Sequence, residues 1–334
     1  MPSLRPVPSM PGGRTLKTTK RLRVFSGRSN PRLAEAIARS LGTELGGIQL
    51  ETFADGDAYC RFTESVRGAD VFLVQTAAPP IDAHLIELLM MIDAARLASA
   101  KRITAVTPRF FYARQDRKSA PREPITARMV ATMLEGAGAD RVLAMDLYAG
   151  QVQGFFNIPV DHMTALPMLA DRFREIAAGR AAVVVAPATT RAKQGSWLAE
   201  MLQADLAIMN DERASGEREV TIIGEVAGKV ALILENGIDT GEWFARASEV
   251  HVSKGATAVY ACATHGVSTA RAAERLARSP IERLLVTDTV PIDPALRSDK
   301  VEVLSVADLL AETIGSVFAN ESVSAIFVGE NQLF

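Results

Sequence analysis

The sequence predicts an α/β protein built as two successive units, each a mainly parallel sheet flanked by helices. Three observations predict it. Short β-rich runs alternate with stretches whose apolar residues recur at helical spacing, the pattern of strand-helix-strand units. The alternation occurs twice along 334 residues, a length that suits two domains, each able to bury its own core. The strand candidates are nearly continuous apolar runs, as strands covered on both faces require.

In the first half, Leu22–Ser26, Val71–Thr76, Ile103–Thr107 and Val142–Asp146 read as strands. Between the second and third, Ile81–Ala100 carries Leu85, Leu88, Leu89, Ile92 and Ala95 at helical spacing. Thr126–Glu135 is a second helix, with Thr126 as its cap and Gly136 or Gly138 past its end. The second half repeats the plan with strands at Ala182–Ala186, Val230–Glu235, Ala258–Cys262 and Leu284–Thr289. Helices at Met168–Ile176, Gly195–Leu202, Phe244–Ser253 and Ser268–Ala277 fill the gaps. Asn157-Ile158-Pro159 through Pro167 reads as the crossing, giving units at 21–160 and 161–334. This is duplication of an architecture, not a repeat at solenoid period.

Composition narrows the class. Nearly half the residues are apolar and the net charge is −2, so no global field favours nucleic acid or an anionic membrane as partner. No stretch has the length and apolarity of a membrane span. Cys60 and Cys262 are the only cysteines, and with four histidines they give neither a disulfide framework nor zinc-type spacing. A reducing, cytoplasmic location is expected. Residues 1–20 differ: Pro2, Pro6, Pro8, Pro11, a Gly12-Gly13 pair and four cations without an acid read as a disordered tail.

One stretch concentrates chemistry. Tyr112-Ala113-Arg114-Gln115-Asp116-Arg117-Lys118 follows an apolar run and precedes a helix. Its cations suit a polyanionic ligand, with Gln115 and Asp116 to fix orientation; from charge alone a solvated basic loop does as well.

The surrounding residues carry a resemblance. Ala113 to Lys118 with Arg122-Glu123-Pro124-Ile125-Thr126-Ala127 resembles the ribose-phosphate diphosphokinases, the PRPP synthetases. So do Asn30-Pro31 with Leu33-Ala34, Phe53 to Gly56, Ser65 to Gly68, Gln151 to Phe156 with Ile158-Pro159, and Tyr260 to His265, over about Leu22 to Phe327. The resemblance implies two phosphoribosyltransferase-like domains that assemble into dimer-based oligomers up to hexamers. It also implies ATP or ADP as ligand, and Mg²⁺ where the chain is active. The family's reaction is attack of the ribose 1-hydroxyl on the β-phosphorus of ATP, giving AMP and 5-phosphoribosyl 1-diphosphate.

The nucleotide motifs are largely kept. Phe53-Ala54-Asp55-Gly56-Asp57 resembles the loop whose aromatic ring stacks on adenine across a subunit interface, with Asp57 for Glu. Phe53, Asp55, Asp57, Arg114, Gln115 and Asp116 are the implied nucleotide contacts. Arg67, Arg122 and Gln153 match positions lining an allosteric phosphate or ADP site; as isolated residues they read equally as solvated or capping groups.

The transfer motifs are altered at four places. Tyr148 stands where the family has the His of Asp-Leu-His-Ala, and Ala188 replaces the Asp that contacts metal and ribose, with Arg191 and Lys193 added nearby. No protein metal ligand is therefore assigned. Asp211 takes the catalytic-loop Lys position, and only Arg213 survives, two residues on. Losing one charge-stabilising donor costs about 10²–10³ in rate. In the ribose-phosphate loop Asp239, Thr240 and Gly241 remain, but Glu242 and Trp243 replace Gly and Thr, setting a carboxylate against a phosphate dianion.

Three readings follow. A homologue impaired in transfer binds adenine nucleotide and joins a homo-oligomer or a hetero-oligomer with an active PRPP synthetase. Alternatively, an active diphosphokinase uses Arg191, Lys193 and Arg213 with Glu235 and Asp239 as a rebuilt site. A third is a related transfer to another acceptor, or a phosphoribosyltransferase.

Overall fold

The structure, a computed structural model, describes residues 21–214, 217–266, 270–294 and 298–324, with backbone alone at 190, 211–214, 217–219 and 270. The tail expected at 1–20 lies outside the described residues. The first half forms β1 (Leu22–Ser26), α1 (Pro31–Ser40), β2 (Ile48–Thr52), β3 (Ala58–Phe62), β4 (Asp70–Val74), α2 (Ile81–Leu97), β5 (Arg102–Thr107), α3 (Thr126–Ala137), β6 (Arg141–Met145) and β7 (Val160–Met163). The second forms α4 (Leu166–Ala177), β8 (Ala182–Ala186), α5 (Ala192–Leu202), β9 (Asp205–Ala214), β10 (Glu217–Ile223), β11 (Val230–Gly237), α6 (Glu242–Ser253), β12 (Ala258–His265), α7 (Ala270–Arg278), β13 (Ile281–Thr287), β14 (Val301–Leu304) and α8 (Ala307–Ala319).

The α/β expectation holds: a five-stranded sheet runs β1-β4-β5-β6-β7 and a seven-stranded one β10-β9-β8-β11-β12-β13-β14. Every pair in both is parallel except β9 with β10. The strands expected from apolar runs are the sheet centres. Val183, Val184 and Val185 of β8 and Leu232 and Ile233 of β11 have no exposed surface, so both faces of each strand are covered.

Three local expectations change. The crossing near Pro159 contains β7, which pairs with β6 and extends the first sheet. Thr126 starts α3 but does not cap it: its hydroxyl donates to Gln115 Oε1 instead. Gly138 does close α3 in the left-handed region at φ 113°, a conformation that costs a Cβ-free residue little. The segment compared with a flexible catalytic loop is the end of β9, in register with β10 (Arg213 opposite Arg218).

The two sheets share a core. Leu33 and Ile37 of α1, Leu169 and Phe173 of α4, Leu198 of α5 and Leu310 and Ile314 of α8 pack into one apolar cluster. That cluster includes Val74 and Val106 of the first sheet and Leu232 and Leu285 of the second. The outer faces have separate cores, under α2 and α3 on one side and α6 and α7 on the other. The last helix thus returns to the first: α8 packs on α1, and Ser40 Oγ donates to Asp308 at 2.8 Å. Shared burial holds the two sheets as one body. Among the described residues no helix is long and apolar enough to cross a membrane.

Candidate functional site

Ligands of parallel sheets sit beyond the carboxyl ends of their strands, and a cavity lies there. It has a volume of about 230 Å³ and is walled by residues following β5 and β6 (Arg109, Arg114, Tyr148) and ending β11 and β12 (Asn236, Gly237, His265). An adjoining cavity of about 290 Å³ is lined by Glu235, Thr240, Gly241 and Trp243. Both cavities share Arg114, Tyr148, Gly237 and Asp239, which form the wall between them.

The floor joins the halves through buried polar groups. Asp146, at the end of β6, has φ 38° and is buried. Its Oδ2 accepts from Thr264 Oγ1 at 2.6 Å and from the Ala165 amide at 2.9 Å. Burial raises its pKa, and these hydrogen bonds only partly offset that. Asn236 Nδ2 donates to the Asp146 carbonyl at 2.9 Å. Thr76 Oγ1 donates to the Thr289 carbonyl at 2.8 Å. His162, buried under β6, accepts at Nε2 from the Leu147 amide at 2.9 Å, and burial drives its pKa down to about 4. His265 faces Thr289 Oγ1 at 2.9 Å and is held down to about 3 by burial and by Arg109, which leaves it neutral.

Arg109 and Arg114 line the cavities together with the carboxylates Asp146, Asp239 and Glu235. Arg114 forms an ion pair with Asp239, 125 positions away in the chain. Its guanidinium also lies 5.5 Å from the centre of the Tyr148 ring. Arg191 covers the same ring at 4.7 Å. Arg191 is anchored further: Nη1 donates to Asn236 Oδ1 and to Gln194 Oε1 at 3.1 Å, and Nη2 to the Tyr148 carbonyl at 3.3 Å. Burial lowers the Arg109 pKa, as does Arg114 nearby, while Arg109 donates to the Ala77 carbonyl.

The residues named from sequence are distributed unevenly around this cleft. Arg114, Gln115, Tyr148 and Asp239 line it. Gln115 is tied to Thr126, and Asp116 is buried with Oδ2 accepting from Gln151. Thr240 and Gly241 lead into α6; Gly241 has φ 68° and lies 3.1 Å (as a Cβ) from the Ala272 carbonyl, so a side chain there is strained. Arg275 donates to the Thr240 carbonyl at 3.0 Å and pairs with Glu242 at 3.8 Å. Phe53, Asp55 and Asp57 sit on the β2–β3 hairpin and line neither cavity of their own chain. The Phe53 ring is half exposed and leans on Tyr59 with centroids 5.6 Å apart. Arg67 and Arg122 are exposed, whereas Gln153 turns inward to His162 Nδ1 at 3.3 Å. The side chains of Asp211 and Arg213 lie outside the described residues. Sequence reasoning missed Asn236 and Arg109 as wall residues.

The carboxylates that line the two cavities are Asp146, Asp239 and Glu235. Mg²⁺ takes carboxylate oxygens and retained waters. Position 188 offers a methyl group, Asp239 is paired with Arg114, Asp146 is turned into the floor, and Glu235 lines the adjoining cavity with Oε1 accepting from the Asn236 amide at 2.9 Å. Among the described residues no group of three or more His, Cys, Asp or Glu is placed to hold a metal ion.

Comparisons with known proteins agree with the architecture. Residues 22–138 match the family profile described as the N-terminal domain of ribose phosphate pyrophosphokinase, and residues 212–328 that of the phosphoribosyl synthetase-associated domain. The chain is 46% identical over 311 residues to a ribose-phosphate pyrophosphokinase of Caldanaerobacter subterraneus subsp. tengcongensis, covering 92% of this chain and 98% of the relative. A Corynebacterium ammoniagenes protein of the same name is 44% identical over 311 residues, covering 92% and 97%. The crystal structure of phosphoribosylpyrophosphate synthetase from Mycobacterium smegmatis superposes with a TM-score of 0.87 at 41% identity, covering 90% of this chain and all of that one. With its two parallel sheets, its cleft beyond the strand ends and this similarity along most of its length, the chain belongs to the ribose-phosphate pyrophosphokinase family.

Proposed function

We propose that the chain binds adenine nucleotide in this cleft and transfers diphosphate poorly, acting as a regulatory subunit of a PRPP synthetase assembly. The observation that carries this reading is the state of the wall: the Tyr148 ring contacts the guanidinium groups of both Arg114 and Arg191, and both cations are engaged by the protein's own groups. The family's transfer step depends on charge placed where it develops. Here the family's His and Asp positions hold Tyr148 and Ala188, and its Lys position holds Asp211. The adenine side keeps Arg114 and Gln115, and the Phe53 ring is exposed for a neighbouring subunit. Nucleotide is thus the ligand, homo-oligomer or mixed oligomer the assembly, and the cytoplasm the location.

A second reading is an active diphosphokinase that makes 5-phosphoribosyl 1-diphosphate and AMP from ATP and ribose 5-phosphate, with Mg²⁺. Kinship speaks for it more directly than for impairment, since the relatives described bear that enzyme's name at 44–46% identity. Arg191 and Lys193 would then supply charge near the transferred group.

Turnover by this chain and by the Caldanaerobacter relative, measured side by side, separates the two. Impairment predicts a rate lower by about 10³ or more, the combined scale of lost charge stabilisation. A rate within tenfold of the relative's would reject it.

A further inference from the structure

The loop Gly27-Arg28-Ser29-Asn30 leads from β1 into α1 and is closed tightly on the residues that follow β4. Gln75 Oε1 accepts from the Ser29 amide at 3.0 Å, and Ser29 Oγ accepts from the Thr76 amide at 2.8 Å. A Cβ at position 27 would lie 2.3 Å from Gln75 Oε1, so glycine is what lets the loop close there. Asn30 Nδ2 donates to the Asp288 carbonyl at 2.8 Å and ties the loop to the second half of the chain.

Arg28 sits within this fixed loop on a buried carboxylate. Glu87 of α2 is 1% exposed; its Oε1 accepts from the Arg28 amide and from Gln75 Nε2, each at 2.7 Å, and its Oε2 accepts from Arg28 Nε. Charge-assisted bonds of this kind fix a guanidinium in direction as well as in place. With Nε so engaged, Arg28 Nη1 donates to Thr52 Oγ1 at 3.0 Å.

Thr52 ends β2, and Phe53 is the next residue. The root of the β2–β3 hairpin is seated by apolar contact: Phe62 meets Phe25 edge-on at 4.6 Å, and Ile48 and Leu50 pack on the core under α2. Residues 51–57 are exposed, so burial does not fix the tip. The bond from Arg28 reaches past the seated root to the residue beside the exposed ring.

We infer that Arg28 is a positioning residue: it ties the tip of the hairpin to buried Glu87 and so sets the direction in which Phe53 meets adenine held by a neighbouring subunit. The inference rests on the nucleotide reading above and deepens it.

The test is calorimetric titration of the full chain with ADP in Mg²⁺ buffer. Deleting the Arg28 side chain outright would leave Glu87 buried without its partner, so the main variant is Thr52→Val, which removes the acceptor at an exposed place. Thr52→Val is expected to weaken ADP binding by about fivefold, and Thr52→Ser to keep wild-type binding. Arg28→Lys, which keeps a charge beside Glu87 without the fork, should weaken it to a similar degree. Phe53→Ala should cost about tenfold, and adding Thr52→Val to it should cost nothing more, because the bond acts through the ring. Wild-type affinity in Thr52→Val, in Arg28→Lys or in Phe53→Ala overturns the inference and leaves the nucleotide reading intact. So does a Thr52→Val loss that is the same with and without the Phe53 ring. No ADP binding by the wild-type chain overturns both.

Discussion

Replacing Tyr148 by Leu removes a ring that two guanidinium groups share. The ring is 40% exposed, and the Arg114 and Arg191 charges lie 5.5 and 4.7 Å from its centre. At such a partly exposed position each cation–π contact contributes about 0.5–1 kcal/mol, so the pair is worth about 1–2 kcal/mol. Unfolding entropy scales at about 2.1 cal/mol/K per residue, so for a chain of 334 residues the loss lowers Tm by about 1.5–3 °C. Tyr148→Phe keeps the ring and should stay within about 0.5 kcal/mol of wild type, like an ordinary surface substitution. Both variants are compared by thermal unfolding in low salt without nucleotide. If Phe costs as much as Leu, the hydroxyl rather than the ring holds the site. If Leu costs nothing, the stacking has no energetic role.

Other parts of the account give separate outcomes. The Arg114–Asp239 pair is exposed at 39% and 52% of its side chains, so a double-mutant cycle should give a coupling below about 1 kcal/mol, smaller still in high salt. Ile314→Ala empties a fully buried place in the core shared by both sheets; it should cost about 2–5 kcal/mol and lower both halves in a single denaturant transition. His162 titrates near 4 when folded and near 6.5 when unfolded. A depressed histidine pKa means that the unfolded chain binds the proton first, so stability falls as pH drops from about 6.5 to about 4. The loss approaches about 3 kcal/mol, and a His162→Gln chain should show a shallower slope over that window.

Parts of the molecule differed in how far the sequence disclosed them. The strands covered on both faces, such as β8 with Val183 to Val185, stand out because nothing polar interrupts them. Half-covered strands do not: β2 ends on exposed Glu51 and Thr52, and β7 carries Asp161 and His162 among four residues. The role of α8 was hidden because its partner α1 lies near the other end of the chain. Candidate wall residues Arg114, Tyr148 and Asp239 could be named from local motifs, but the pairing of Arg114 with Asp239 is a product of folding. Asp116 reads differently at the two levels: a carboxylate in a basic stretch suggests a ligand contact, and folding sets its side chain against Gln151. Local composition gives charge; only tertiary packing gives direction.

The most direct test of the central claim combines two readouts on one sample of the purified full chain. Nucleotide binding is followed by calorimetry, and AMP with 5-phosphoribosyl 1-diphosphate is quantified after mixing with Mg²⁺, ATP, ribose 5-phosphate and phosphate. The account predicts clear binding with product formation lower by about 10³ or more than that of the Caldanaerobacter relative. Product formation at the relative's rate would contradict it, and Arg191, Lys193 and Arg213 would then be the residues of a rebuilt transfer site.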